Sequence, residues 1–258
     1  MKRQIGDTLP GQYLFVHKCA GCGRILRPEE RREAFCPACL LRYRAGRVES
    51  CPRCFRSAWE CRCMPSELAR AGMLCLRKAV FYHSEKQGEP QNQIIYRLKQ
   101  SPNRRMAEFL AKEILGAIEE ELRILGYDGE LGEVRLMGLP RSRRSRNRYG
   151  FDQASFIAGV IGEKMAIPCV SAIGRRWGGR EQKKLGSRRR LRNIRHSFFL
   201  TKEGAEVSGR CVILFDDVVT TGASMAACTK LLREAGATAV IGVCVGQNKR
   251  DQIGKRTS

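Results

Sequence analysis

The chain has 258 residues and carries 48 Lys+Arg against 26 Asp+Glu, a formal net charge of +22. Its apolar content of 43% is too high for a disordered chain, and the length is ample for a core. No apolar run nears the ~20 residues that cross a bilayer, and Met1 to Asp7 has no apolar stretch behind its positive charges, so membrane and secreted classes are excluded and a cytoplasmic chain is expected.

Eight of the 13 cysteines fall between Cys19 and Cys63. They read Cys19-Ala-Gly-Cys22, Cys36-Pro-Ala-Cys39, Cys51-Pro-Arg-Cys54 and Cys61-Arg-Cys63. Two thiolates separated by two residues can turn back on one Zn²⁺, and two such pairs close a tetrahedral site with no open position, which is structural. Cys19, Cys22, Cys36, Cys39, Cys51, Cys54, Cys61 and Cys63 therefore predict two zinc ions. Sequential pairing, first pair with second and third with fourth, is favoured by the short intervening loops. Interleaved pairing stays open on spacing alone. His17 is a nearby ligand type outside the pattern. The segment has few large apolar residues, so metal must supply much of its folding free energy. Cys75, Cys169, Cys211, Cys228 and Cys244 are scattered and read as small buried hydrophobes.

Pro65 to Arg70 reads as a hinge out of the cysteine-rich head. Beyond it, Met73–Tyr82 has strand character, and Ile94, Ile95 and Leu98 suggest a short helix. From Arg104 to Leu125, apolar residues recur at three- and four-residue spacing, which predicts a long amphipathic helix. Further elements are a strand over Val134–Leu139 stopped by Pro140, a helix over Asp152–Met165 with its break at Pro168, a buried strand over Cys211–Phe215, a helix over Gly222–Ala235, and a strand over Ala237–Val245. Alternating strands and helices predict a parallel sheet covered on both faces, an α/β fold.

The most informative stretch runs from Val212 to Ser224. Four apolar residues lead into Asp216 and Asp217, at the strand end where open α/β sheets bind ligands. Val219, Thr220, Thr221, Gly222, Ala223 and Ser224 then curl into a helix start, whose N–H groups, hydroxyls and dipole suit a phosphate monoester. Carboxylates can accept hydrogen bonds from both hydroxyls of a ribose. Phosphate and diol together describe a ribose 5-phosphate. The structural alternative is a plain strand and helix with Thr-Thr at the N-cap.

On these residues the chain resembles the type I phosphoribosyltransferases and, more narrowly, the ComF family of competence-associated proteins, which join an amino-terminal zinc ribbon to such a domain. Arg148-Tyr149-Gly150-Phe151-Asp152-Gln153 is similar to the family's Arg-Gly-Phe-Asn-Gln run, and Gln182, Leu185, Arg190, Asn193 and Phe198 fall at the family's spacing. The resemblance spans Cys19 to about Val245. It implies a double zinc ribbon over residues 1–66, a phosphoribosyltransferase-type domain over 67–250 and a basic tail over 251–258. It further implies that Asp216 and Asp217 bind the ribose hydroxyls of phosphoribosyl pyrophosphate (PRPP), that Val219–Ser224 surround its 5-phosphate, and that Mg²⁺ arrives with the pyrophosphate. Arg141, Arg144 and Arg148 become candidates for pyrophosphate handling, and Gln182, Arg190 and Asn193 for a lid spanning Arg175–Asn193. The sequence departs from the family pattern at Tyr149, at Asp152 and over Met137–Pro140.

The implied reaction, if the chain turns over, is phosphoribosyl (pentosyl) transfer, whose cationic transition state needs leaving-group stabilisation and exclusion of water. No general base is legible; His83 and His196 read as packed or solvated. PRPP alone does not explain the charge. Arg141–Arg148 holds five arginines in eight residues, and Arg175–Arg195 holds ten basic residues against the single acid Glu181. Such runs are either solvated faces or a positive mouth for a polyanion. Three functions follow: a PRPP- or nucleotide-binding transferase-like protein, a non-catalytic module handling single-stranded DNA alongside the family's helicase partner, or a nucleotide sensor. Between Cys19 and Cys63, Phe35, Tyr43, Phe55 and Trp59 are the aromatics available for base stacking.

Overall fold

The computed structural model describes residues 16–141, 150–176 and 197–249. It is an α/β fold with a cysteine-rich amino-terminal head. Six strands and six helices carry the architecture of the described residues: α1 (Pro37–Arg47), α2 (Ser66–Arg70), β1 (Leu76–Tyr82), α3 (Pro90–Gln100), α4 (Arg104–Ile124), β2 (Val134–Gly138), α5 (Gln153–Met165), β3 (Ile173–Arg175), β4 (Phe198–Leu200), β5 (Cys211–Val219), α6 (Ala223–Glu234) and β6 (Ala239–Asn248).

The central sheet is parallel, in the order β1-β6-β5-β2. Beyond β2, Pro168 O accepts from Leu136 N at 3.0 Å and Leu136 O from Val170 N at 2.9 Å, so a short stretch extends that edge. Side chains on a strand alternate between faces. In β5, Cys211, Ile213 and Phe215 join the core beneath α3, α4 and α5, whereas Val212 and Leu214 join the core beneath α6. Both faces are covered, which is why the strand reads as an unbroken apolar run. β3 and β4 form an antiparallel hairpin that brackets residues 177–196.

The observed elements sharpen several sequence expectations. The short helix around Ile94 is the 11-residue α3, begun by Pro90 at its first position, where a missing N–H costs nothing. The helix expected over Asp152–Met165 is α5, capped by Asp152 at its start and ended by Ala166 in the left-handed region, two residues before Pro168. The segment expected as a hinge forms α2, and α1 inside the head and the β3–β4 hairpin were not legible. β5 runs four residues past Phe215, because β6 is long enough to keep pairing with it, as in Asp216 opposite Cys244. The two aspartates therefore sit within the paired strand rather than after it.

The head and the sheet share a core. Phe35 and Tyr43 pack against Phe109 of α4, with ring centroids 5.0 and 5.1 Å away. Glu121 of α4 is fully buried and binds both Arg77 of β1 at 2.9 Å and Arg62 of the head at 2.8 Å. Of the scattered cysteines, Cys75, Cys211, Cys228 and Cys244 are buried as expected; Cys169 is exposed. Burial pushes the Cys75, Cys211 and Cys244 thiols up to about 12, which leaves them unreactive.

Candidate functional site

The eight head cysteines gather into two groups, Cys19, Cys22, Cys36, Cys39 and Cys51, Cys54, Cys61, Cys63, with the sulfurs of each group within 4.8 Å of one another. This is the sequential pairing. Four sulfurs around a zinc at ~2.3 Å stand about 3.8 Å apart; Cys22 Sγ lies 3.9 Å from Cys36 Sγ, and Cys54 Sγ 3.7 Å from Cys61 Sγ. Backbone N–H groups of Cys36, Arg53 and Cys63 donate to Cys19, Cys51 and Cys61 sulfurs at 3.3, 3.4 and 3.3 Å, which suits thiolates. Lys78 of β1, fully buried, places Nζ 3.4 Å from Cys61 Sγ and 2.6 Å from Cys63 O. Without a cation, burial and the neighbouring thiols push Cys63 up to about 12. The donor set, spacing and hydrogen bonds fit two structural zinc ions. His17 is outside both groups and bonds Arg31 O at 2.8 Å.

The second candidate lies at the carboxyl edge of β5. Asp217 is 7% exposed, and its Oδ2 meets Lys99 Nζ at 3.2 Å and Arg141 Nη2 at 3.1 Å. Burial opposes its ionisation, but these two cations hold its carboxyl below the usual range. Asp216 is pushed the other way, first by burial and then by the adjacent Asp217 charge. Its Oδ1 accepts from Asp217 N at 2.8 Å. Arg175, at the end of β3, is lowered by burial, with Cys228 and then Asp216 opposing that shift. One carboxyl is thus a firm anionic acceptor, while its neighbour is poised toward the neutral form.

Arg141, a pyrophosphate candidate, is already engaged: besides Asp217, its Nη2 donates to Gln153 Oε1 at 2.7 Å, and its backbone N–H donates to Asp152 Oδ2 at 2.9 Å. Asp152 also caps α5 through Ser155 N at 3.3 Å. The departure from asparagine at Asp152 thus leaves a side chain that binds the Arg141 backbone and caps the start of α5. Arg144, Arg148, Gln182, Arg190 and Asn193 lie outside the described residues, as do 251–258.

Past β5, Thr220 and Thr221 are exposed, and α6 begins at Ala223. The N-cap is Gly222 at φ +76°, not a threonine; Thr221 Oγ1 accepts from Ala223 N at a long 3.4 Å. A Cβ on Gly222 would lie 3.0 Å from Leu68 Cγ of α2, so glycine is required by its left-handed backbone and by close packing against α2. A cleft of about 310 Å³ lies between α2 and α6, lined by Glu67, Arg70, Ala223, Lys230 and Glu234 among others. It flanks the helix of the phosphate loop and is not the carboxylate edge. Gln247, opposite Val219, is fully buried, and neither polar atom of its amide has a partner among the described residues.

Lys99 was missed from the sequence. It follows Leu98 near the end of α3, and nothing local marks it as the partner of a carboxylate on another strand. No helix among the described residues is long and apolar enough to cross a membrane.

No protein-family model matches the chain. It is similar to the DNA utilization protein YhgH of Escherichia coli K12, 30% identical over 152 residues, which cover 58% of this chain and 64% of that protein, just under two thirds of its length. It is 26% identical over 226 residues to the YhgH of Salmonella typhi, covering 86% of each, and 32% identical over 90 residues to Competence protein F of Haemophilus influenzae, covering 34% of this chain and 39% of that one. These relatives bear out the resemblance to competence-associated proteins.

Proposed function

From a ComF-type chain with two four-cysteine sites, we propose a protein of DNA uptake or utilisation that binds PRPP or a nucleotide at the carboxyl edge of β5. The DNA role is carried over from what the relatives are called. The pocket rests on one observation: the Asp217 carboxylate lies between Lys99 and Arg141, beside Asp216 and immediately before the Thr220-Thr221-Gly222 turn into α6.

In this reading Asp217 accepts from ribose hydroxyls, and Asp216 serves the second hydroxyl. The exposed Thr220 and Thr221 hydroxyls and the first N–H groups of α6 take the 5-phosphate. Arg141, seated by Gln153 and Asp217, brings a guanidinium toward the charge of a leaving pyrophosphate. The carboxylates make a poor magnesium cage, since Asp217 is shared by two cations and Asp216 is shifted toward neutrality. Magnesium would enter held by pyrophosphate oxygens, to which it supplies charge neutralisation.

Calorimetric titration of PRPP with Mg²⁺ into the zinc-loaded protein tests this. Binding to the wild type and its loss in the Asp216→Ala/Asp217→Ala variant are expected, and pyrophosphate release on addition of acceptor bases would extend the reading to transfer. No heat with folded wild type refutes the pocket. The alternative is a non-catalytic module handling single-stranded DNA, which would leave DNA affinity unchanged in the same variant.

A further inference from the structure

The two zinc knuckles repeat one backbone. In the first, Cys19 N donates to Arg24 O at 2.8 Å, Gly23 N donates to Cys19 O at 3.0 Å, and Lys18 bridges Ile25. In the second, Cys51 N donates to Arg56 O at 2.8 Å, Phe55 N donates to Cys51 O at 3.0 Å, and Ser50 bridges Ser57. Phe55 therefore stands where the first knuckle has Gly23. Gly23 has φ +80° and Phe55 φ +60°, both in the left-handed region, which is costly for a bulky side chain. Gly23 faces the body, where a Cβ would lie 2.9 Å from Arg97 Nη2 of α3. Phe55 faces solvent and is 81% exposed. Packing does not offset its strained backbone.

Strained, exposed aromatics that do nothing for the fold point to a ligand. Trp59, 40% exposed, lies four residues on, with the Arg47 guanidinium 5.8 Å from its ring centroid. Arg53 and Arg56 flank Phe55 and are exposed; Glu60, bonded by Ser57, is the one acid among residues 50–60 of this knuckle besides Ser50's neighbour Glu49, which is tied to His83 and Lys249. Among the described aromatics of the head, Phe35 and Tyr43 are buried in the shared core, which leaves Phe55 and Trp59 to meet a ligand. Aromatic faces beside arginines match unstacked bases beside phosphates. We propose that Phe55 and Trp59, flanked by Arg53 and Arg56, form a stacking platform for single-stranded nucleic acid on the second zinc knuckle.

This deepens the DNA-handling part of the proposed function and is independent of the PRPP pocket. Fluorescence anisotropy of labelled oligothymidylate tests it on the full-length zinc-loaded protein. Phe55→Gly is expected to weaken binding about tenfold, within the range of one lost base stack. Its unfolding midpoint should stay level or rise, because glycine relieves the left-handed strain. PRPP binding should be unchanged, and Phe55→Trp should keep the affinity for oligothymidylate. Wild type that binds no oligothymidylate overturns the platform and the DNA-handling reading together. Wild type that binds, with Phe55→Gly binding equally well, overturns the platform alone and assigns the exposed ring to a protein partner.

Discussion

Replacing each carboxylate of the β5 pair by its amide should move stability in opposite directions. The Asp217 side chain is 11% exposed, and its partners Arg141 and Lys99 are 16% and 35% exposed. Removing one member of a fully buried pair costs about 3–5 kcal/mol, whereas an exposed pair is worth about 0–1 kcal/mol. Asn retains one acceptor oxygen, and Lys99 can turn to water, so Asp217→Asn should cost about 2 kcal/mol between these limits. For a chain of this size that lowers the unfolding midpoint by roughly 4–8 °C. Asp216→Asn removes a carboxyl that burial and Asp217 both disfavour as an anion, and a gain of about 1 kcal/mol is expected. The pH dependence follows from the two directions. Asp217, depressed in the fold, contributes stability above its unfolded pKa and loses it as pH falls through the folded one. Asp216, raised in the fold, contributes below its unfolded pKa and loses that as pH rises through the folded one, so the advantage of Asp216→Asn should grow toward neutral pH. Urea unfolding at several pH values measures both. Equal destabilisation by the two substitutions at neutral pH would refute the division of charge between them. A stabilising Asp216→Asn that also abolished PRPP binding would mark the carboxyl as kept for its ligand.

Glu121→Gln should destabilise by about 3 kcal/mol, since Arg77 is 1% exposed and keeps only Glu120 and Trp59 O as partners. Combining it with Arg77→Met should recover part of that loss in urea unfolding, and strict additivity would contradict the coupling. Chelating zinc should unfold the head and also lower the urea midpoint of the sheet domain, because Lys78 loses Cys61 Sγ and the Cys63 carbonyl and Tyr43 and Phe35 leave Phe109. An unchanged far-UV transition after chelation, with the head's tyrosine signal lost, would show that the two parts fold independently.

Much of the molecule could be read locally. Four cysteine pairs at knuckle spacing announce two metal sites because the ligands of each pair lie on one turn. The three- and four-residue recurrence from Met106 to Leu122 announces α4, and the apolar run before Asp216 announces a strand buried on both faces. Short loops favour sequential pairing of the cysteine pairs, but spacing alone leaves the interleaved scheme open, and the positions of the knuckles choose the sequential one. The same holds for the site's electrostatics. Lys99, at the end of α3, and Arg141, just after β2, are far apart in sequence, and they meet Asp217 because the fold brings both segments to the carboxyl edge of β5. The left-handed Phe55 is the last case: the sequence shows an aromatic after a cysteine, but its strain and exposure follow only from overlaying its knuckle on that of Gly23. Local chemistry determined what kinds of site this chain carries. Tertiary packing decided which charges and rings each site presents, because burial and long-range proximity are properties of the folded chain.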